Sequence, residues 1–345
     1  MDRRDRPVLV WHRVTTGPPA PTLKALKKHM RILVTGGAGF IGSHMADRLV
    51  RNGHEVMVID NESTGRASNV PAGADYTWTD VMQLERLEDT CKKSFDAVFH
   101  IAGQVSLIRS YSDPVLDLRT NVQGTINMLQ LCLRHHIPRF LYASSMTVYG
   151  HTIALPTSEN TACVPMSYYG ITKYAAERYV LATAERADLD FDFQVTCFRM
   201  YNVYGSRQAL DNPYQGVLGI FIGNLLRGEP ITIFGDGHQS RDFIYIDDVV
   251  DAWVGALTNP ATYGGVINLG SGSRLSIRQL ADHVLSAFNC ARNNTSIVFA
   301  AGRPGEQRHV EADITLARKI LKWEPRVPFE QGLAKTVRWA KSVYA

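Results

Sequence analysis

Ile32-Leu33-Val34-Thr35-Gly36-Gly37-Ala38-Gly39-Phe40-Ile41-Gly42 is a short apolar, β-branched run that breaks into glycines at G-x-x-G-x-x-G spacing. Its first half has the composition of a buried parallel strand, and a helical pattern opens at Phe40. Glycines at such a junction let the backbone turn tightly and approach a pyrophosphate, which then rests on the positive end of the helix. A second apolar run ends at Asp60, 18 residues beyond Gly42, and Asn61 follows it. A carboxylate there accepts hydrogen bonds from both hydroxyls of an adenine ribose and repels a 2′-phosphate. The stretch therefore predicts a dinucleotide site that takes NAD rather than NADP. Gly36, Gly39, Phe40, Ile41, Gly42, Asp60 and Asn61 are its candidate contacts, and Arg66, six residues past Asp60, reads as a surface cation.

From this unit outward, β-branched runs at 32–35, 56–59, 75–78, 97–100, 139–143 and 194–199 alternate with helical patterns near 40–52, 113–135 and 168–187. Such alternation predicts an α/β fold, a doubly wound parallel sheet of the Rossmann kind covered on both faces. After Tyr201 the alternation fails, with loops rich in Gly, Asn and Pro around 205–219 and 235–239 and a helical C-terminus. The expected organisation is an NAD-binding domain over 30–200 and, over 201–345, a smaller α/β lobe that captures substrate, with segments returning to the first domain. Residues 1–29 read as a tail or start-site extension, because Met30 stands directly before the first strand.

A chain of 345 residues with 45% hydrophobic and 20% charged residues can bury substantial cores, and it reads as a soluble globular protein. The formal charge of +4 is too small and too scattered for a nucleic-acid face. No apolar run approaches the roughly 20 residues that span a bilayer, so no membrane association is expected. Five distant cysteines suggest neither a zinc site nor a disulfide framework and fit a reducing cytoplasm. His135-His136, at a predicted helix end, reads as a partner for terminal carbonyls rather than a metal site, so no metal is expected.

The candidate chemistry lies in Tyr169-Gly170-Ile171-Thr172-Lys173, where a phenol and an ammonium stand one helical turn apart. A neighbouring ammonium and the positive ring of an oxidised nicotinamide both favour phenolate, so Tyr169 is expected to have a lowered pKa and to act as a general base. Some 20 residues earlier a strand ends in Ala143-Ser144-Ser145-Met146-Thr147-Val148-Tyr149-Gly150. A serine hydroxyl there can hold the oxygen of a reacting group.

These elements resemble the extended short-chain dehydrogenase/reductase family, in particular its nucleotide-sugar epimerases and dehydratases. Further matching stretches are His100-Ile101-Ala102-Gly103-Gln104, Asn121-Val122-Gln123-Gly124-Thr125, Asn202-Val203-Tyr204-Gly205, Gly235 through Phe243, and Arg303-Pro304-Gly305-Glu306. The resemblance runs from Met30 nearly to the C-terminus. It implies that Tyr169 is the base, that Lys173 binds the nicotinamide ribose and tunes Tyr169, and that Ser145 orients the hydroxyl. It also implies Asp80 and Val81 beside the adenine, Ala102, Gly103 and Asn121 against the cofactor, and Asn202, Arg241 and Arg303 on the sugar nucleotide. Arg241 has an alternative as an internal salt-bridge partner of Asp242 or Asp247. The helices over 113–135 and 168–187 would form a four-helix interface in a homodimer.

All these relatives begin by oxidising C4 of the sugar, so the neighbours of the ketone decide the branch. Dehydratases of the family place an Asp-Glu pair directly after the Ser/Thr, and UDP-glucuronate decarboxylases place a Glu at the second position; Met146 and Thr147 stand there. The expected reaction is therefore C4 epimerisation of a UDP-sugar: Tyr169 takes the hydroxyl proton, hydride passes to NAD, the 4-keto sugar turns over, and hydride returns to its other face. A 4,6-dehydratase and a 4-keto reductase are the alternatives within the family, and a noncatalytic dinucleotide sensor is the alternative outside enzymes. Val310 either leaves room for an N-acetyl group or C6 carboxylate or fills core. The stretch 212–215 is expected as a loop near the nucleotide.

Overall fold

The computed structural model describes residues 29–90, 93–152, 154–210, 216–290, 297–302 and 307–344. Expectations for Arg303, for the loop 212–215 and for nearly all of the tail lie outside the described residues. The first half of the chain runs β1 (Arg31–Thr35), α1 (Phe40–Arg51), β2 (Glu55–Asp60), β3 (Ala74–Trp78), α2 (Leu84–Thr90), β4 (Ala97–His100), α3 (Leu107–Ser112), α4 (Pro114–Leu118), α5 (Gly124–Arg134), β5 (Arg139–Ser145), α6 (Tyr168–Ala184) and β6 (Gln194–Met200). The second half adds β7 (Asn202–Tyr204), α7 (Val217–Leu226), β8 (Ile231–Phe234), β9 (Ser240–Arg241), β10 (Phe243–Tyr245), α8 (Ile246–Ala256), β11 (Gly265–Leu269), β12 (Leu275–Ser276), α9 (Ile277–Ala287), β13 (Ile297–Ala300), α10 (Thr315–Leu321) and α11 (Phe329–Tyr344).

Seven parallel strands make one sheet in the order β11-β6-β5-β4-β1-β2-β3. Side-chain alternation along each strand splits the core in two. Ile32, Val34, Val56, Val58, Ala97 and Phe99 pack with Met45 and Leu49 of α1 and with Val250 and Trp253 of α8. Leu33, Ile59, Val98, Phe140 and Tyr142 pack on the opposite face with Met128 and Cys132 of α5 and Ala176 and Val180 of α6. Both faces are covered, which is why the strands read as continuous apolar runs. The strand order reverses between β1 and β4, so a crevice opens beyond their carboxyl ends.

The seventh strand, β11, comes from beyond Tyr201 and pairs with β6 from Gly265↔Thr196 to Leu269↔Met200. Its five residues lie among glycines, where a short apolar run carries no period to announce a strand. The other second-half strands form three two-stranded pieces, β10-β7, β12-β9 and β13-β8, around which α7, α9 and α11 pack. The long helix expected over 113–135 is divided: α4 passes into a π-helical turn over Arg119–Gln123 before α5 begins. Asp113 caps α4 by accepting from Leu116 N at 3.0 Å, with Pro114 at the first helical position.

Candidate active site

A cavity of about 330 Å³ lies along the carboxyl ends of the strands. The glycine turn forms one wall. Gly36 has φ +69°, and a Cβ there would sit 2.8 Å from the Ala102 backbone nitrogen. A Cβ on Gly42 would lie 2.1 Å from the Gly36 carbonyl oxygen, so the helix can start this close to the strand only without a side chain. Gly39 is the N-cap of α1 and brings no side-chain cap, leaving the first-turn amides and the positive helix end to a ligand. Asp60, at the end of β2, accepts from Ala38 N at 3.0 Å and Glu62 N at 2.7 Å, so it fastens the turn while lining the cavity. Burial raises its pKa against these backbone donors. Asn61 and Val81 line the cavity as well; Asp80 stands outside it, holding the Asn61 amide at 2.9 Å and Met82 N at 2.8 Å. The cradle fits a dinucleotide: a pyrophosphate at the uncapped helix, with a carboxylate at the end of the adjacent strand.

Behind this wall a buried polar chain fixes the loop after β4. Thr35 Oγ1 accepts from Ile101 N and Ala102 N, each at 3.1 Å, and Thr125 Oγ1 donates to the Asn121 carbonyl at 2.7 Å. His100 bridges the two hydroxyls, with Nδ1 2.8 Å from Thr35 Oγ1 and Nε2 3.0 Å from Thr125 Oγ1. Those partners assign it the Nε2–H tautomer. Burial and the nearby Lys173 push its pKa down to about 3, so it stays neutral. Ala102 and Gly103 reach the cavity, but Asn121, expected against the cofactor, does not. It is 1% exposed and sits behind Gly103, its Oδ1 accepting from Gln104 N at 2.9 Å and its Nδ2 donating to Asp117 and Thr172, each at 3.1 Å. The π-turn carries Asn121 into that supporting position.

Ser145, Tyr169 and Lys173 line the same cavity as the glycine turn. Ser167 caps α6 by accepting from Gly170 N at 3.0 Å, which aims the first turn of the helix at the end of β5. Ser145 Oγ accepts from Thr147 N at 3.3 Å and Thr147 Oγ1 at 2.9 Å, leaving its own proton for the Tyr169 phenol. The lowered pKa expected for Tyr169 is corrected: burial pushes it up to about 12, a hydrogen bond from Ser145 works downward, and the Asp117 charge adds to the rise. Lys173 is pulled down to about 8 by burial, against the Asp117 and Glu177 charges, and its ammonium lies 4.6 Å from the centre of the Tyr142 ring. Desolvation outweighs any help the two groups give each other in the protein by itself.

Asn202 lines the cavity, its Nδ2 donating to the Asp242 carbonyl at 2.9 Å. Arg241 is not among the lining residues; its Nη1 donates to the Ser240 carbonyl at 2.8 Å. The Asp242 carboxylate proposed as its alternative partner accepts instead from Ser271 N at 2.6 Å, Ala312 N at 3.0 Å and Gly272 N at 3.1 Å, and burial lifts it to about 6. Val310 is 3% exposed and packs with Tyr201, Ala312 and Ile314 against Met146, so it fills core behind two lining residues. His135 and His136 turn to Glu88, at 2.6 Å, and Asp190, at 3.3 Å, and the expected carbonyl role is corrected accordingly. Sequence reasoning did not single out Arg207 or Gln208, which also line the cavity. Their signal was proximity alone, two and three residues past the Asn202–Gly205 stretch.

Comparison with known proteins agrees with this geometry. The family model described as NAD dependent epimerase/dehydratase matches residues 32–270. The UDP-glucose 4-epimerase of Mycolicibacterium smegmatis is 36% identical over 321 residues, covering 91% of this chain and 99% of its own. A crystal structure of the Thermotoga maritima UDP-glucose 4-epimerase with UDP-glucose superposes with a TM-score of 0.86 at 35% identity, covering 92% of this chain and 100% of that one. The Thermus thermophilus UDP-glucose 4-epimerase in complex with NAD gives a TM-score of 0.82 at 32% identity, covering 91% and 100%. With its glycine turn and its Ser-Tyr-Lys cluster on a shared cavity, the chain belongs to the NAD dependent epimerase/dehydratase family.

Proposed function

We propose that this protein is an NAD-dependent UDP-sugar 4-epimerase. One observation carries the choice within the family: Asp60 is the one carboxylate among the described lining residues, and three strand positions separate it from Ser145 in the sheet. Beside Ser145 the cavity is lined by Met146, and Thr147, which is not among the lining residues, has its hydroxyl engaged with Ser145. With no carboxylate among those described neighbours to remove a C5 proton, return of the hydride is the open course. The UDP-glucose 4-epimerases that the chain resembles support the same substrate class.

Bound NAD supplies a hydride acceptor, and later a donor, at the sugar's C4. Ser145, its oxygen held by Thr147, holds the C4 oxygen, and Tyr169 removes the hydroxyl proton. Lys173 places positive charge behind the phenol and reaches towards the nicotinamide ribose. The family resemblance assigns Asn202, Arg241 and Arg303 to the sugar nucleotide, and of these Asn202 lines the cavity. Once the 4-keto sugar has turned over in the cavity, so that hydride returns to the opposite face of C4, Tyr169 gives the proton back to the C4 oxygen. Gly36, Gly39, Phe40, Ile41 and Gly42 cradle the cofactor pyrophosphate, Asp60 and Asn61 hold the adenine ribose, and Val81, Ala102 and Gly103 form its apolar bed. The same reading takes the enzyme to be a cytoplasmic homodimer, an assignment supported by scattered cysteines and by exposed apolar side chains on α4 and α6.

The test is proton NMR of separate incubations with UDP-glucose, UDP-N-acetylglucosamine and UDP-glucuronate without added cofactor. A C4 epimer should appear from one of them, and Tyr169→Phe should slow it by about 10²–10⁴-fold. Accumulation of a keto-deoxy sugar, or no epimer from any of the three even with NAD added, would refute the assignment.

A further inference from the structure

Arg207 combines three features that its packing alone does not explain. Its backbone has φ +65°, a left-handed conformation that costs free energy for a side chain of this size. The loop carrying it is sewn onto α1: His44 Nε2 lies 3.0 Å from the Ser206 carbonyl oxygen, and Arg207 Nη2 lies 2.6 Å from Asp47 Oδ2. At its start, Gly205 lies against both helices: a Cβ there would sit 2.4 Å from Ile246 Cγ2 of α8 and at ordinary contact distance, 3.5 Å, from the Phe40 ring of α1. The guanidinium's other terminal nitrogen, Nη1, is buried and has no hydrogen-bond partner among the described residues. An unpaired buried donor on a charged group is costly to keep, and a ligand that accepts from it would offset that cost.

Arg207 lines the same cavity as Gly39, Phe40 and Ile41, the uncapped start of α1. We propose that Arg207 is a diphosphate-binding residue, held in place through Nη2 by Asp47 and donating through Nη1 to a phosphate oxygen at the mouth of α1. The forked, planar guanidinium suits this division of labour, one nitrogen for the anchor and one for the ligand. Two diphosphates have that chemistry here, the pyrophosphate of NAD and that of the sugar nucleotide. The inference rests on the proposed function, which brings both into one cavity. Because the arginine belongs to the substrate side of the chain and its anchor to the cofactor helix, it would also tie the two halves of the site together.

The experiment compares wild type, Arg207→Met and Arg207→Lys as full-length protein. NAD retained per chain is measured after denaturing release, and UDP and uridine are titrated calorimetrically. Thermal melting confirms that each variant is folded. Arg207→Met should weaken either retention of NAD or binding of UDP by about ten- to a hundredfold while uridine binding is unchanged. Loss of NAD assigns the cofactor's diphosphate, and loss of UDP alone assigns the substrate's. Arg207→Lys should recover only part of the loss, since one ammonium cannot keep both partners. If folded Arg207→Met holds NAD and UDP as tightly as wild type, or loses uridine equally, the inference is wrong while the proposed function stands. If wild type itself holds neither NAD nor UDP, the proposed function falls and takes this inference with it.

Discussion

Tyr169 and Lys173 face the same cavity, and desolvation dominates the ionisation of both. Tyr169 is pushed up to about 12 and Lys173 pulled down to about 8. A lysine whose folded pKa lies below its unfolded value of 10.5 binds fewer protons folded than unfolded between the two. Stability therefore rises with pH from about 8 to 10.5, and the full cost of burying the ammonium is present below about pH 8. Tyr169 acts in the opposite sense only above pH 10, where the folded state holds a proton that the unfolded chain releases. Urea unfolding of nucleotide-free wild type and Lys173→Met at about pH 7 and about pH 9.5 checks this. Wild type should gain about 2 kcal/mol relative to the variant over that interval. Parallel curves would mean that Lys173 is not desolvated. The i, i+4 spacing of the pair was legible in the sequence, but the direction of the Tyr169 shift was not, because it depends on how much water the surrounding elements exclude.

The strand-turn-helix unit of β1 and α1 shows how one element is specified by absent atoms. Gly42→Ala would force a methyl group to 2.1 Å from the Gly36 carbonyl oxygen, so the helix must move away from the strand. Destabilisation of about 1–3 kcal/mol and loss of retained NAD are expected. Gly255, within α8, is the contrast: a Cβ there meets nothing within 4 Å. Gly255→Ala should stabilise the protein by about 0.5–1 kcal/mol through helix propensity. Calorimetric melting of the two variants checks both signs together, and equal shifts would contradict the packing argument. The π-turn between α4 and α5 is the counterexample in which sequence pattern failed. Its apolar spacing is helical, yet Asp117 sits fully buried and accepts from Gln104 Nε2 at 2.6 Å, Asn121 at 3.1 Å and Thr172 at 2.7 Å. That node ties the loop after β4 to α6, and only the tertiary contact brings its members together.

Across the molecular surface, exposed apolar side chains gather on adjoining helices: Tyr111 of α3, Val115 and Leu118 of α4, and Tyr168, Ile171 and Tyr179 of α6. The Tyr111 and Tyr168 rings are 5.2 Å apart, and α4 packs against α6, so these side chains belong to one face. A patch of this kind favours burial against another protein surface, and a second copy of the chain is the proposed occupant. Sedimentation should give a dimer, and Ile171→Asp with Tyr179→Asp should give monomers that still hold NAD. A monomeric wild type would remove the dimer proposal. Among the described residues no helix is long and apolar enough to cross a membrane.

By itself the sequence determined the parallel sheet, the dinucleotide turn and the trio Ser145, Tyr169 and Lys173, because glycine spacing, strand period and helical spacing are local properties that survive without partners. It also determined that neither of the two residues directly after Ser145 is a carboxylate, which separates the branches of the chemistry. Only the tertiary structure decided that Asn121 supports rather than lines the site, that Val310 fills core, that β11 completes the sheet, and that Arg207 enters the cavity on an anchor in α1. Those outcomes depend on contacts between residues far apart in the chain, whose desolvation and packing no local pattern encodes.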